Sequence, residues 1–251
     1  MEYDRLTQSY YESQVQRIGL TLDRLQTIKP VTAAGQVVPD TGDIAIGTGR
    51  RLNMAVMFLD ICHFSGRPAE TSIEQDMILR VLNLFFTEMI RIAEDYGGTI
   101  EKNTGDGLMA YFEDGGGTPP ANGCKRAVAC ALTMMYSSER IIAPMVWTTT
   151  PFRDLRFRIG IDYGPVTVAK LGARQRFQTL VAIGTSANLA SRMLSVAGPG
   201  EIIIGRSVVE CLPADWTKYC WIRQEYTGWV YRSTGLPYPF YRYVGCWTPP
   251  K

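Results

Sequence analysis

Residues 54 to 65 read Met54-Ala55-Val56-Met57-Phe58-Leu59-Asp60-Ile61-Cys62-His63-Phe64-Ser65, an apolar run of strand length that ends in a carboxylate and then turns. The run is continuous rather than alternating and carries Val, Phe and Leu, so it reads as a strand buried on both faces. Periodicity by itself does not separate this from a buried helix segment. A second stretch follows the same logic. Ile100 to Phe112 sets Gly105-Asp106-Gly107 between two apolar, strand-like runs, as a β-hairpin with a carboxylate at its tip would. Two carboxylates brought side by side suit Mg²⁺ or Mn²⁺, hard cations that prefer oxygen and commonly bind through one or two carboxylates plus substrate phosphates. A solitary Gly-Asp-Gly is more often only a turn.

The chain of 251 residues suits one α/β domain with decorations. Its 26 basic and 24 acidic residues leave a net charge of +2, which gives no reason to invoke nucleic acid or a membrane surface as partner. The first residues are polar and no apolar run is long enough to span a bilayer, so a cytoplasmic location is expected. The six cysteines include no C-x-x-C pair and read as reduced thiols. His63, the single histidine, follows Asp60 closely; a positional accident in the turn outweighs a general-base role.

Residues 1 to 28 place apolar groups at Ile18, Leu20, Leu22, Leu25 and Ile28, which fits an amphipathic helix or a partner-facing arm. Residues 29 to 50 read as an irregular lead-in. Thr71-Ser72-Ile73-Glu74 has the form of a capping box and opens a long helix whose apolar positions, Ile78 to Ala93, repeat at three and four until Gly97-Gly98. A second helix is expected from about Lys125 to Arg140, buried through Ala127, Val128, Ala131 and Leu132. Phe157 to Val168 reads as a strand, a glycine-marked turn and another strand, with Asp162 a structural carboxylate near the turn. Phe177 to Ile183 is a further strand, and Gly184-Thr185-Ser186 opens a helix on which Asn188 and Arg192, four apart, share a face. The aromatic tail reads as edge strands over Trp229–Arg232 and Phe240–Val244. A stacking platform for single-stranded nucleic acid would pair such rings with a basic groove, which the near-neutral charge does not supply.

FLDICHFS, KNTGDGLMAYF, RIGIDYGPV and IGTSANLASRM occur in the order and spacing of a class III nucleotidyl cyclase catalytic domain, which the chain resembles over about residues 52 to 212. The resemblance implies an α/β (α+β) fold: a ferredoxin-like βαββαβ core with a mostly antiparallel sheet. Residues 1–50 would form a helical arm and lead-in, and residues 51–251 the catalytic domain with its aromatic β tail. It further implies two Mg²⁺ or Mn²⁺ ions per site on Asp60, Asp106 and the Ile61 backbone, with the turn through Phe64 and Ser65 near the triphosphate. Asn188 would orient the ribose and Arg192 would stabilise charge on the transferred phosphoryl group. Sites in this family form between two catalytic domains, so a homodimer with two equivalent sites is expected.

Base recognition departs from the family pattern. Lys102 matches the lysine with which adenylate cyclases read adenine, but the usual Asp or Thr three residues before the glycine matched by Gly184 is Val181, or Thr179 if the strand slips. Guanylate cyclases place glutamate where Lys102 stands. The chain resembles the bacterial pyrimidine cyclases of Pycsar antiphage defence, which make cyclic UMP or cyclic CMP to trigger a separate effector. An ammonium only donates hydrogen bonds, so Lys102 suits uracil O4 better than the cytosine amino group. The expected substrate order is UTP, CTP, then ATP; the rival is a catalytically inactive cyclase fold that serves as a binding module.

Overall fold

The computed structural model describes residues 6–27, 49–103, 105–114, 122–149, 155–173 and 177–248. The chain runs α1 (Gln8–Thr27), β1 (Gly49–Ile61), α2 (Ser72–Asp95), β2 (Thr99–Asn103), β3 (Gly107–Glu113), α3 (Gly123–Ser137), α4 (Ala143–Thr149), β4 (Phe157–Ala173), β5 (Phe177–Ile183), α5 (Thr185–Met193), β6 (Ile202–Gly205), α6 (Arg206–Cys211), α7 (Ala214–Thr217), β7 (Cys220–Ile222) and β8 (Phe240–Tyr243).

The apolar run that ends in Asp60 lies in β1, an interior strand of a sheet ordered β2-β3-β1-β4-β6-β8-β7, with β5 paired to β4. Its continuous hydrophobicity has a direct cause. Ala55, Met57, Leu59 and Ile61 face the main core beneath α2 and α3, whereas Met54 and Val56 face a second core with Met109, Tyr111, Val166 and Val168 under Ala187 and Ala190 of α5. The β1-α2-β2-β3-α3-β4 unit with strand order β2-β3-β1-β4 is the ferredoxin-like arrangement expected, and β4 with β6 is the parallel pair in an otherwise antiparallel sheet.

The α2 capping box forms as the sequence implies: Glu74 N–H donates to the Thr71 hydroxyl at 3.2 Å, and Thr71 N–H donates to the Glu74 carboxylate at 2.9 Å. Gly97 follows the helix with φ 68°, a left-handed conformation that glycine adopts without a Cβ penalty. α1 docks on α2 rather than standing free. Ile18 enters the main core, Arg17 pairs with buried Glu88 at 2.9 Å, Gln14 donates to the same carboxylate at 3.2 Å, and the Tyr10 hydroxyl donates to Asp95 at 2.8 Å. Burial pushes the Glu88 carboxyl up against the lowering pull of Arg17.

Three expectations change. Phe157–Val168 is no strand-turn-strand; β4 is one strand of 17 residues running straight through Gly164 and Pro165. Pro165 is tolerated because β6 pairs with β4 only over Ile159–Ile161 and β5 only from Thr167, so between them β4 has β1 alone as a strand neighbour and its other edge is open. Asp162 therefore sits inside a strand, buried, and not beside a turn. Trp229–Arg232 is not a sheet strand either: it belongs to a hairpin held by the single bridge Val230–Pro237, while β8 does join the sheet as expected. The second helix ends at Ser137 and continues as a π-turn, Ser138–Ile142, into α4. Most of the irregular lead-in, residues 29–48, lies outside the described residues, as does Ile28 of the preceding stretch.

Candidate active site

Strand pairing brings the two aspartates to neighbouring positions in the sheet. Asp60, at the end of β1, is in register with Gly107, and the Ile61 N–H donates to the Asp106 carbonyl at 2.9 Å, which ties the hairpin tip to the end of β1. Both Asp60 and Asp106 are half-buried. Asp60 is also opposite Arg158 of β4, whose Nη2 and Nε donate to one carboxylate oxygen at 2.7 and 2.9 Å. Arg158 was not picked out from sequence, since its link to Asp60 spans 98 residues and exists only through the β1–β4 register.

The turn after β1 is a 3₁₀ segment, Phe64–Gly66, entered through His63 at φ 57°, a left-handed value uncommon outside glycine. His63 is exposed there. Ile61 is buried in the main core and Phe64 packs against it, so any contact of these two with a phosphate would run through their backbone. The side chains of Ser65 and Lys102 lie outside the described residues; the Lys102 backbone pairs with Met109 beside a bulge in β2.

Asn188 and Arg192 do share a face of α5. They line a cavity of about 650 Å³ whose other walls include Thr185, Ser186, the open β4 edge at Asp162, Tyr163 and Pro165, and the hairpin residues Trp229–Ser233 and Tyr238. The hairpin brings Arg232 to the same cavity as Arg192. Neither Asp60 nor Asp106 lines it. One chain thus presents two separate candidate half-sites, acidic at the β1 and hairpin ends and basic at α5. Val181, half-buried on β5 opposite Ala169, belongs to neither half-site's described contacts. β2 and β5 attach at different places in the sheet, one beyond β3 and the other on β4.

The acidic half-site suits a hard divalent cation by its chemistry. Two aspartates at neighbouring backbone positions provide oxygen donors, while no group of three or more His, Cys, Asp or Glu gathers among the described residues. That is too few oxygens for an all-protein cage and the right kind for an ion that also takes phosphate oxygens. No helix among the described residues is long and apolar enough to cross a membrane.

Residues 48–227 match the family described as adenylate and guanylate cyclase catalytic domain. The chain is 28% identical over 201 residues to an adenylate cyclase of Anabaena cylindrica, covering 78% of this chain and 38% of that protein. It is 24% identical over 166 residues to a uridylate cyclase of Rhodovulum sp. (strain MB263), covering 64% of this chain and 65% of the relative. Among solved structures, the adenylyl cyclase CyaB from P. aeruginosa superposes with TM-score 0.61 at 28% identity, over 79% of this chain and 96% of CyaB. Sheet order and family match lead to one conclusion: this chain belongs to the class III adenylate and guanylate cyclase catalytic-domain family.

Proposed function

We propose that the chain is a metal-dependent nucleotide cyclase that converts a nucleoside triphosphate, UTP by preference, into its 3′,5′-cyclic monophosphate and pyrophosphate, at sites shared between two copies. The observation that carries this reading is the split: Asn188 and Arg192 line a cavity from which Asp60 and Asp106 are absent. A second copy supplies the missing half to each site, so a homodimer has two. Residues 51–251 are then the catalytic domain, and residues 1–50 the accessory arm.

Cyclisation needs a nucleophilic 3′-hydroxyl, an α-phosphate relieved of charge and a pyrophosphate that is held as it leaves. Asp60, Asp106 and the Ile61 carbonyl would hold Mg²⁺ or Mn²⁺, two ions per site, which supply Lewis-acid charge neutralisation and a lowered hydroxyl pKa when bound. Arg158 keeps Asp60 oriented at 2.7 Å and provides positive charge beside the triphosphate. The backbone of Phe64 and Ser65 lines the approach to that charge. On the other copy, Asn188 orients the ribose through its amide and Arg192 meets charge on the transferred phosphoryl group. Stabilisers of this type are worth about 10² to 10³ in rate. Lys102 and Val181 flank the base: a donor for uracil O4 and an apolar contact that leaves an adenine amino group unpartnered. The uridylate cyclase relative supports the pyrimidine choice. Cytidylate and then adenylate cyclase are the runners-up. The product acts as a second messenger for a separate cyclic-nucleotide-responsive effector in cytoplasmic antiphage defence.

The test is incubation of the purified chain with each of the four ribonucleoside triphosphates and Mn²⁺. Cyclic UMP as the main product is expected. Cyclic AMP alone would overturn the pyrimidine reading, and no cyclic product from any of them would favour a binding module, in which the Arg158–Asp60 pair is simply structural.

A further inference from the structure

The cavity that holds Asn188 and Arg192 has a buried polar floor that the chemistry above does not use. Asp162, 1% exposed, lies on the open edge of β4, and its Oδ1 accepts a hydrogen bond from the Tyr238 hydroxyl at 2.7 Å. The Tyr238 oxygen in turn accepts from the Ser207 N–H at 3.3 Å and pairs with the Ser207 hydroxyl at 3.2 Å, at the start of α6. Room for this cluster comes from Gly205, where an added Cβ would stand 2.1 Å from the Asp162 oxygen and 2.7 Å from the Tyr238 oxygen. A buried carboxylate without partners is costly, so the phenol that satisfies it is held firmly in return.

Tyr238 is also the hinge post of the hairpin. Its N–H donates to the Trp229 carbonyl at 2.8 Å, Tyr231 N–H donates to the Leu236 carbonyl at 2.8 Å, and the Tyr231 and Tyr238 rings meet edge to face at 5.1 Å. Trp229 and Tyr238 pack with Met193 of α5, and Leu189 and Tyr231 pack against that cluster. The hairpin therefore touches α5 and the sheet residues Ile203 and Phe240 through apolar side chains, and its one polar side-chain mooring among the described contacts is the Tyr238 phenol on Asp162. Between the two, Arg232 and Arg192 line the same space.

We propose that Asp162 and Tyr238 are a positioning pair for turnover: their hydrogen bond fixes the Trp229–Tyr238 hairpin against the open edge of β4, and so sets the spacing between the hairpin wall and the Asn188–Arg192 face of α5. The proposal rests on the cyclase reading. Neither residue touches the reacting atoms. Both act through the hairpin, on how closely the basic half-site closes round a triphosphate.

The experiment compares Tyr238→Phe and Asp162→Asn with the parent chain by hydrogen exchange and by steady-state kinetics. Tyr238→Phe keeps the ring and loses the mooring, so exchange across residues 228–238 should speed up while α2 and α3 stay protected. Its kcat should fall about tenfold to a hundredfold, with KM changed less. Asp162→Asn keeps a carbonyl oxygen for the phenol and should recover most of the kcat that Tyr238→Phe loses. Should Tyr238→Phe not fold, Ser207→Ala removes one contact of the same phenol and gives a milder form of both effects. Hairpin exchange as slow as in the parent overturns the mooring, and parental kcat with faster exchange overturns its role in turnover. Asp162→Asn as impaired as Tyr238→Phe overturns the hydrogen-bond account. A parent chain that cyclises no nucleotide overturns the cyclase reading and the catalytic half of the proposal, while exchange still decides the mooring.

Discussion

Gly160→Ala should move the basic half-site without touching any group in it. Gly160 is an interior β4 residue, paired with Phe58 of β1 and Ile203 of β6, and α5 crosses directly over it. A Cβ built there lies 2.2 Å from the Ala190 carbonyl oxygen and 3.0 Å from the Met193 Cβ. Both obstacles are fixed to the helix backbone, so no rotamer change relieves them. Carbon and oxygen rest comfortably near about 3.3 Å, so α5 has to lift by roughly 1 Å. Overpacking of this kind costs about 1–3 kcal/mol, which for a chain of this size lowers Tm by roughly 2–12 °C. A displacement near 1 Å of groups that position substrate costs about a hundredfold in rate, so kcat should fall by far more than the modest loss of stability implies. Thermal melts and initial rates on the same preparation check both. Gly19→Ala is the control: nothing lies within 4 Å of that Cβ on α1, and the change should stabilise by up to about 1 kcal/mol. Parental Tm and turnover in Gly160→Ala would refute the claim that direct backbone contact sets the seat of α5.

Three further outcomes are expected. Burial pushes the Asp162 carboxyl up to about 7 from its ordinary 3.8, against the lowering hydrogen bonds from Tyr238 and the Tyr163 backbone. A raised folded value means that its contribution to stability is fully present below about 3.8 and is lost as pH rises through about 7, by at most about 1.4 kcal/mol per pH unit. Urea midpoints between pH 4 and 8 should therefore decline more steeply in the parent than in Asp162→Asn, and equal slopes would reject this. Asp106→Ala and Arg192→Ala should each be inactive, yet a mixture that exchanges subunits should regain activity at one site per heterodimer; background activity despite verified exchange would argue against shared sites. Lys102→Glu exchanges a donor for an acceptor and should lower the UTP to CTP ratio of kcat/KM, whereas a merely solvated lysine would change stability by about 0.5 kcal/mol and leave that ratio alone.

Legibility in the sequence tracked how local the physics was. β1, the α2 capping box and the Asp106 hairpin are written within short windows, because period, cap and turn chemistry act over a few residues. β4 is illegible for a non-local reason. Gly164 and Pro165 look like a turn, and only the gap between β6 and β5 shows why a strand tolerates them. Gly164 also has a contact to respect, since a Cβ there would stand 2.5 Å from the Ser186 hydroxyl oxygen. Arg158, Arg232 and Tyr238 escaped notice likewise: each earns its place through a partner many residues away. The alternation over Trp229–Arg232 reads as a sheet strand, but Trp229 and Tyr231 alternate with Val230 and Arg232 because one side of a hairpin packs on α5.

The interior position of β1 also bears on how the chain is made. Its hydrogen-bonding partners come late: Leu59 pairs with Leu108 of β3 and with Ile159 of β4. At translation rates of about 5–20 residues per second, a strand apolar on both faces leaves the ribosome roughly 5–20 seconds before β4 has been synthesised. Through that interval β1 has one partner at most and an open edge, the form in which short apolar segments pair with other chains. Yield in the cell should thus depend on holdase chaperones, and on slow steps in translation between residues 61 and 157, more than on the stability of the finished fold.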